Sequence, residues 1–399
     1  MRTRPDTDDL AVTDWTSRND ALVADLTASG VLTDPRWRGA FRATPRHVFV
    51  PAFNADDGTL VTAYDPATRQ RWLTEVYGDH SLTVQRTPVP GQDRTVATSS
   101  STRPSLMARM LELLALDDGP LPGQVLEIGT ATGYNTALLS RVLGDEHVVS
   151  VELHPDLAAN ARHRLARLGH FPILFTGDGS AGAPGHAPYN CILATCATAA
   201  IPPAWIDQLA DGGLIVTDLR TEVSSALTVL TKTAPDRVDG RLLGDPGHFM
   251  WMRPDPANPF LDPTVGPLVI DHADQTDHTM TFDPSLLADT GLRTILGILE
   301  PTIHAGIPGD NKPVFLHTDD GSWCEITPVS GTTVTVSQAG PRRLWPAIDR
   351  AHDLWLQHRR PTVDRIGLTA RADGHTTYWI DEPDNESASK FSIRTCASH

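Results

Sequence analysis

Lysine is nearly missing from this chain of 399 residues. Only Lys232, Lys312 and Lys390 stand among its 33 basic residues, so cationic recognition falls to arginine, whose planar fork matches carboxylates. Positive charge as a whole is scarce. The 49 acidic residues leave a net charge of −16 with no large basic stretch, which argues against nucleic acid as a partner. Cysteine is equally thin. Cys191, Cys196, Cys324 and Cys396 follow neither a zinc spacing nor a disulfide-dense pattern and read as buried or incidental thiols. His154, His163 and His170 stand nine and seven apart, unlike the i, i+4 pair of a metal site, so no metal is expected. There is no run of 18 apolar residues and no apolar stretch within Met1–Asp9, so a soluble, cytoplasmic protein with no membrane partner is expected.

What is present is enough apolar residue, 40%, for more than one core, and a length that suggests two or three domains. The most informative stretch runs from Val125 to Glu152. An apolar run, Val125-Leu126-Glu127-Ile128, becomes the small-residue turn Gly129-Thr130-Ala131-Thr132-Gly133. That turn opens a helix at Tyr134-Asn135, and a second apolar run, Val148 to Val151, closes on Glu152. This is the first βαβ unit of a nucleotide-binding sheet: small residues let backbone approach a ligand, and the carboxylate can accept ribose hydroxyls. A dinucleotide G-x-G-x-x-G reading fails, because Ala131 and Tyr134 replace its second and third glycines. The spacing fits instead the turn of S-adenosylmethionine (SAM) methyltransferases. A later turn, Gly177-Asp178-Gly179, places an acid where the adenine amine would be accepted. The expected cofactor is SAM, held by Glu127, Gly129, Thr130, Ala131, Gly133, Tyr134, Asn135, Glu152, Leu153, Gly177, Asp178 and Gly179.

Hydropathy periods organise the rest. Helices are expected over Asn19–Gly30, over Arg36–Ala43 and from Pro104, whereas residues 54–95 read as polar and irregular. Strand and helix then alternate: strands 125–128, 148–151, 172–175, 190–194 and 214–218, helices 133–143, 155–168 and 203–210. Alternation of this kind implies a doubly wound, parallel α/β sheet of Rossmann type. Residues 226–233 and 240–251 read as closing strands, and Pro254, Pro256 and Pro259 as a semi-rigid linker. Beyond it, strands Val314–His317, Thr332–Ser337 and Thr376–Ile380 and a helix Trp345–His358 suggest an α+β accessory domain. The expected division is a helical N-terminal segment with an insertion (1–97), a methyltransferase core (98–253) and the accessory domain (254–399).

Three further blocks carry a resemblance. Pro45-Arg46-His47-Val48-Phe49-Val50-Pro51, Ser101-Thr102-Arg103-Pro104-Ser105-Leu106-Met107-Ala108 and Ile201-Pro202-Pro203 through Gly212-Gly213, together with the turn, resemble protein-L-isoaspartate O-methyltransferase over residues 19–253. The family's catalytic-loop Ser aligns with Thr102 and its following Gln with Arg103. The run Thr98-Ser99-Ser100-Ser101-Thr102, the insertion around 78–97 and the long tail depart from the repair enzymes. With Glu75 to Leu82, those departures are most similar to the methyltransferases that mature ATP-grasp peptides (graspetides). That resemblance implies a modified precursor peptide as partner, methylated on an Asp side chain whose ester then closes to an aspartimide. The alternative is isoaspartate repair.

A carboxylate is already anionic near neutral pH, so esterifying it by methyl transfer needs no general base. The protein has to align oxygen with methyl carbon and keep water from the oxygen. Hydroxyl groups can donate to the non-attacking oxygen, and Thr102, then Ser101 and Ser100, are the expected catalytic residues. His47 is expected to fix the N-terminal segment, and Arg342-Arg343 and Arg359-Arg360 to be solvated charge.

Overall fold

The computed structural model describes residues 15–89, 93–114, 123–255, 272–307, 312–383 and 391–394. Expectations placed on Met1–Asp9, Pro256, Pro259, Lys390 and Cys396 lie outside these. The chain divides into two compact units, one of Met1–Thr195, Gln208–Ala210 and Arg253–Pro259, the other of Cys196–Asp207, Asp211–Met252 and Phe260–His399.

In the first unit, α1 (Trp15–Ala28) buries Leu22, Val23 and Leu26. Helix α2 (Pro35–Ala43) is capped by Asp34, whose carboxylate accepts from the Arg36 N–H at 2.7 Å. The short α3 (Arg46–Phe49) follows. Residues 54–95 are not irregular as expected. They hold the end of β1 (Ala52–Asn54), then β2 (Leu60–Thr62), α4 (Arg69–Val76) and β3 (Leu82–Pro88). Strands of three residues are too short for a period of two to show in the sequence. Most of the hydroxyl run lies in strand β4 (Thr95–Ser101), paired antiparallel to β3. A cross-strand pair of hydroxyls, Thr87 with Thr98 at 2.9 Å, shows why these residues suit a pleated surface. The sheet order β2-β1-β3-β4 leaves β4 outermost. Helix α5 (Pro104–Glu112) buries Leu106, Met107, Met110 and Leu111.

The alternation expected after residue 125 is observed as β5 (Val125–Ile128), α6 (Tyr134–Leu143), β6 (Val148–Glu152), α7 (Pro155–Arg167), β7 (Ile173–Thr176) and β8 (Tyr189–Thr198). These strands pair in parallel in the order β8-β5-β6-β7. Every residue of β5 and β6 is buried, which is why both read as mostly apolar, with Glu127, Ser150 and the closing Glu152 as the polar exceptions. The strand order reverses between β5 and β8. Open α/β sheets take ligands at that point, beyond the carboxyl ends of the strands.

The second unit holds α8 (Pro203–Gln208), which stops short of residue 210 because Leu209 already opens β9 (Leu209–Arg220). There follow β10 (Ser225–Ala234), β11 (Arg237–Leu242), β12 (Thr276–Thr281), α9 (Thr290–Leu299), β13 (His304–Gly306), β14 (Val314–His317), β15 (Trp323–Ser330), β16 (Thr333–Ala339), α10 (Trp345–Gln357), β17 (Ile366–Arg371), β18 (His375–Ile380) and β19 (Phe391–Arg394). They form an antiparallel series β9-β10-β11-β17-β18-β19 and a five-stranded sheet β12-β16-β15-β14-β13. The strand expected over 240–251 ends at Leu242, because the buried Asp218 carboxylate draws the chain out of the ladder. It accepts from the Phe249 N–H at 3.0 Å and the Ser225 hydroxyl at 2.8 Å. Arg342 is paired as well as solvated, with Glu300 at 2.8 Å and Asp320 at 2.7 Å, and Arg343 pairs with Asp274. Among the described residues no helix is long and apolar enough to cross a membrane, and no group of His, Cys, Asp and Glu is arranged to hold a metal.

His47 ties the N-terminal helices together. Its ring is buried beside Trp15, Trp72 and Tyr77, and its Nδ1 lies 2.6 Å from the Tyr77 hydroxyl. Burial, with the charge of Arg167 adding to it, lowers its pKa from the ordinary 6.5 to about 4. The folded state therefore holds the ring neutral while the unfolded chain protonates it at 6.5. The stability this provides is complete above pH 6.5 and is lost as pH falls toward 4. Urea midpoints across that interval should fall steadily for the wild type, and a His47→Gln variant should start lower and show a flatter dependence.

Candidate active site

The turn after β5 is shaped by backbone that side chains rarely tolerate. Gly129 and Gly133 have φ of 96° and 86°, and Ala131 takes the left-handed region at 47°. The N–H groups of Gly129 and Thr130 both point to the Val151 carbonyl of β6, at 2.8 and 3.3 Å. A side chain at Gly129 would meet the Thr195 hydroxyl at 2.8 Å, since that hydroxyl donates to the Gly129 and Ile128 carbonyls. Thr195, on β8, had no place among the expected site residues.

Glu152 closes the turn from the neighbouring strand. One carboxylate oxygen accepts from the Ala131 N–H at 2.7 Å and the other from the His154 N–H at 2.9 Å. Each oxygen keeps a lone pair beyond these bonds, so two hydroxyls of a ligand can still be accepted. Leu153 is half-buried beside it. Gly177 donates its N–H to the Glu152 carbonyl at 2.9 Å, which brings the second turn alongside the first. There Asp178 caps a single 3₁₀ turn, accepting from the Ser180 N–H at 2.9 Å and hydroxyl at 2.6 Å. Its carboxylate stays partly exposed, whereas Gly179 behind it is buried.

Four of the expected cofactor residues have buried side chains that bond or pack within the protein. The Glu127 carboxylate is wholly buried and accepts from Asn135 Nδ2 at 2.7 Å, Thr136 Oγ1 at 2.5 Å and Ser150 Oγ at 2.6 Å. Burial raises its pKa, and the three donors oppose that rise. Thr130 shares a 2.6 Å hydrogen bond with Ser150 and so joins the same network. Glu127, Asn135 and Thr130 thus fasten β5, β6 and the start of α6 under the turn and support it from below. Tyr134 turns the other way: its buried ring packs against Phe41 and Phe49, with the Arg46 guanidinium 5.9 Å from its centre. Sequence alone placed these four at the turn correctly but gave no direction for their side chains.

The hydroxyls of the acceptor loop also separate. Arg46 is wholly buried, and burial lowers its pKa to about 10. Its Nη1 donates to the carbonyls of Val76 at 2.9 Å and Gly78 at 3.2 Å. Its Nη2 donates to the carbonyls of His80 at 3.0 Å and Thr102 at 3.0 Å, and reaches the Ser101 carbonyl and hydroxyl at 3.4 and 3.3 Å. Ser101 is thereby committed to the anchor. The Thr102 hydroxyl and the Ser100 hydroxyl bond to nothing among the described residues, and both positions are partly exposed. The hydroxyl run does not cap α5. That end of the helix is held by Asp79, which accepts the Ser105 N–H at 2.8 Å, and by Ser81, which accepts the Arg103 N–H at 3.2 Å. Arg46 was missed as a site residue although a lone cation within Pro-x-His-Val-Phe-Val-Pro is itself a signal.

A profile of the Protein-L-isoaspartate(D-aspartate) O-methyltransferase (PCMT) family matches residues 17–244, more than half of the chain. The chain belongs to that family. Protein-L-isoaspartate O-methyltransferase of Methanospirillum hungatei is 34% identical over 218 residues, covering 54% of this chain and 85% of its own. The Pseudomonas fluorescens enzyme of that name is 39% identical over 186 residues, covering 46% and 72%. A solved protein-L-isoaspartate O-methyltransferase shares the fold, with a TM-score of 0.53 at 21% identity, over 90% of this chain and 98% of its own. Membership makes this a SAM-dependent carboxyl methyltransferase, as the turn implied. The structural match covers 90% of this chain, so the shared fold reaches beyond residue 253.

The buried network under the turn gives a direct expectation. Glu127→Ala leaves the Asn135, Thr136 and Ser150 donors without their acceptor in a dry site. It should lower unfolding free energy by at least about 1–3 kcal/mol, measured by urea denaturation.

Proposed function

We propose that this chain esterifies an aspartyl-derived carboxylate in a peptide or protein, with the isoaspartyl carboxylate as its leading acceptor. The observation that carries the proposal is the loop at Ser101-Thr102, pinned by the buried Arg46 and leaving the Thr102 hydroxyl unengaged. Isoaspartyl leads because the relatives at 34–39% identity carry that activity in their names. The turn fits SAM on its own evidence of geometry. Its positive-φ residues let a ligand lie against backbone, and Glu152 and Asp178 keep acceptor capacity after their protein hydrogen bonds are counted. When bound, SAM supplies an electrophilic methyl group. Gly129, Ala131 and Gly133 would lie along it, Glu152 would accept its ribose hydroxyls and Asp178 its adenine amine.

The chain's own residues then have to present the acceptor. Thr102 donates to the oxygen of the carboxylate that does not attack, with Ser100 next along the strand. Ser101 acts through Arg46, as a positioning residue. No residue need remove a proton, so the rate depends on alignment and on excluding water. A fixed loop serves both. Arg46 gives it that fixity with hydrogen bonds to the carbonyls of Val76, Gly78 and His80 in one segment and of Ser101 and Thr102 in the other.

A second reading has the acceptor as an Asp side chain in a modified ribosomal peptide. There the backbone nitrogen of the next residue would attack the ester carbonyl and release methanol, closing an aspartimide. What favours it is Thr102-Arg103 in place of the family's Ser-Gln, preceded by the hydroxyl-rich β4.

Two measurements test these assignments. Glu152→Ala should weaken SAM binding in calorimetry by about 1–3 kcal/mol, since two ligand hydroxyls lose their acceptor; wild-type affinity would remove Glu152 from the cofactor site. Radiolabelled methyl transfer to a linear isoaspartyl peptide, with its ordinary aspartyl twin as control, should label the first and not the second. Labelling of neither, with labelling of an Asp-containing macrocyclic peptide, would transfer the assignment to the second reading.

A further inference from the structure

Arg253 is a cation without an anion. It follows Trp251 and Met252, whose backbone is held beside β8: Ala197 donates to the Met250 carbonyl at 2.8 Å and accepts from the Met252 N–H at 2.7 Å. The guanidinium of Arg253 is half-buried, and its Nη2 donates to the Thr98 carbonyl of β4 at 2.9 Å. No carboxylate among the described residues pairs with it, and its Nε and Nη1 have no acceptor there. Burial lowers its pKa, and the one charge that opposes this is Glu152. Its charge is thus felt at the acid of the cofactor turn, while its hydrogen bond lies three residues before Ser101 on the strand that leads into the acceptor loop. A half-buried guanidinium with one arm held and most of its donors unused by the protein can still take an anion.

We propose that Arg253 reads a carboxylate of the acceptor peptide, as a specificity-determining residue of the methyltransferase. This rests on the acceptor being a peptide carboxylate, as proposed above. Planar guanidinium donors suit a carboxylate in two parallel hydrogen bonds, and the Thr98 carbonyl fixes one arm of the fork so that the others keep their direction. The anion read is either the carboxylate that becomes methylated or an acidic side chain beside it. In the first case the pair ends when the ester forms, because the ester carries no charge. Arg253 would then favour binding of the substrate over the product. In both cases its contribution belongs to binding of the peptide, so it appears in KM more than in kcat.

The test uses the full chain with Arg253→Gln and Arg253→Lys, and two linear isoaspartyl peptides, one with flanking glutamates and one with glutamines in their place. For Arg253→Gln, peptide KM should rise by about tenfold or more while kcat changes by less than about threefold and the calorimetric Kd for SAM stays near wild type. Arg253→Lys should recover part of the loss. A rise confined to the glutamate peptide assigns the flanking acid; an equal rise with both assigns the acceptor carboxylate. An unchanged KM, or a loss of SAM affinity as large as the loss for peptide, overturns the proposal. If the wild type methylates neither peptide, the isoaspartyl assignment fails separately. Arg253 is then decided by binding of a fluorescent glutamate-rich peptide to the complex with S-adenosylhomocysteine: weaker binding by Arg253→Gln upholds it, and equal binding overturns it.

Discussion

A guanidinium buried with no carboxylate beside it stays charged only if oxygen atoms with partial charge surround it, and Arg46 gathers those atoms from two separate stretches of chain. The demand is stringent, because an unsatisfied buried cation would be far more costly than any single hydrogen bond it makes. Residues 76–80 and 101–102 therefore have to approach α3 together, with their carbonyls turned inward. Once they do, Asp79 and Ser81 are in place to hold the start of α5, and β4 is fixed at its carboxyl end. The segments 76–80 and 101–102 are in this way held against α3 by one side chain.

Glu127 is the complementary case on the other side of the loop. It is a carboxyl group buried among neutral donors, and it draws β5, β6 and α6 into one register beneath the cofactor turn. Neither group pairs with the other: carbonyls converge on one, hydroxyl and amide donors on the other. Buried polar networks of this kind restrict the arrangement of the groups around them.

The parallel core was legible in the sequence because strands buried on both faces are written as mostly apolar runs, and Val125–Ile128 and Val148–Val151 each carry a single polar residue, Glu127 and Ser150, which bond to each other. The positions of Gly129, Glu152 and Asp178 followed from spacing within that core. What could not be read was direction and distance. Tyr134 and Asn135 are neighbours at the start of α6, yet one packs into the N-terminal rings and the other binds Glu127. Five successive hydroxyl residues look like solvent-exposed chain until a partner strand is known, and the partner strand β3 has no marked pattern of its own. Arg46 and Thr102 are 56 residues apart, and nothing local in either segment announces the other.

Ala131 occupies a left-handed backbone conformation that glycine would adopt without strain. For alanine it is unfavourable by about 1 kcal/mol, and its N–H is held in place by Glu152. An alanine wanders less than a glycine in the unfolded chain, so the freedom surrendered at this position is smaller and is surrendered when the protein folds. A ligand arriving at such a turn meets backbone with less freedom left to lose. The ordering penalty that a glycine-only turn would impose on each binding event is here transferred to folding, and it is incurred once in the lifetime of the molecule.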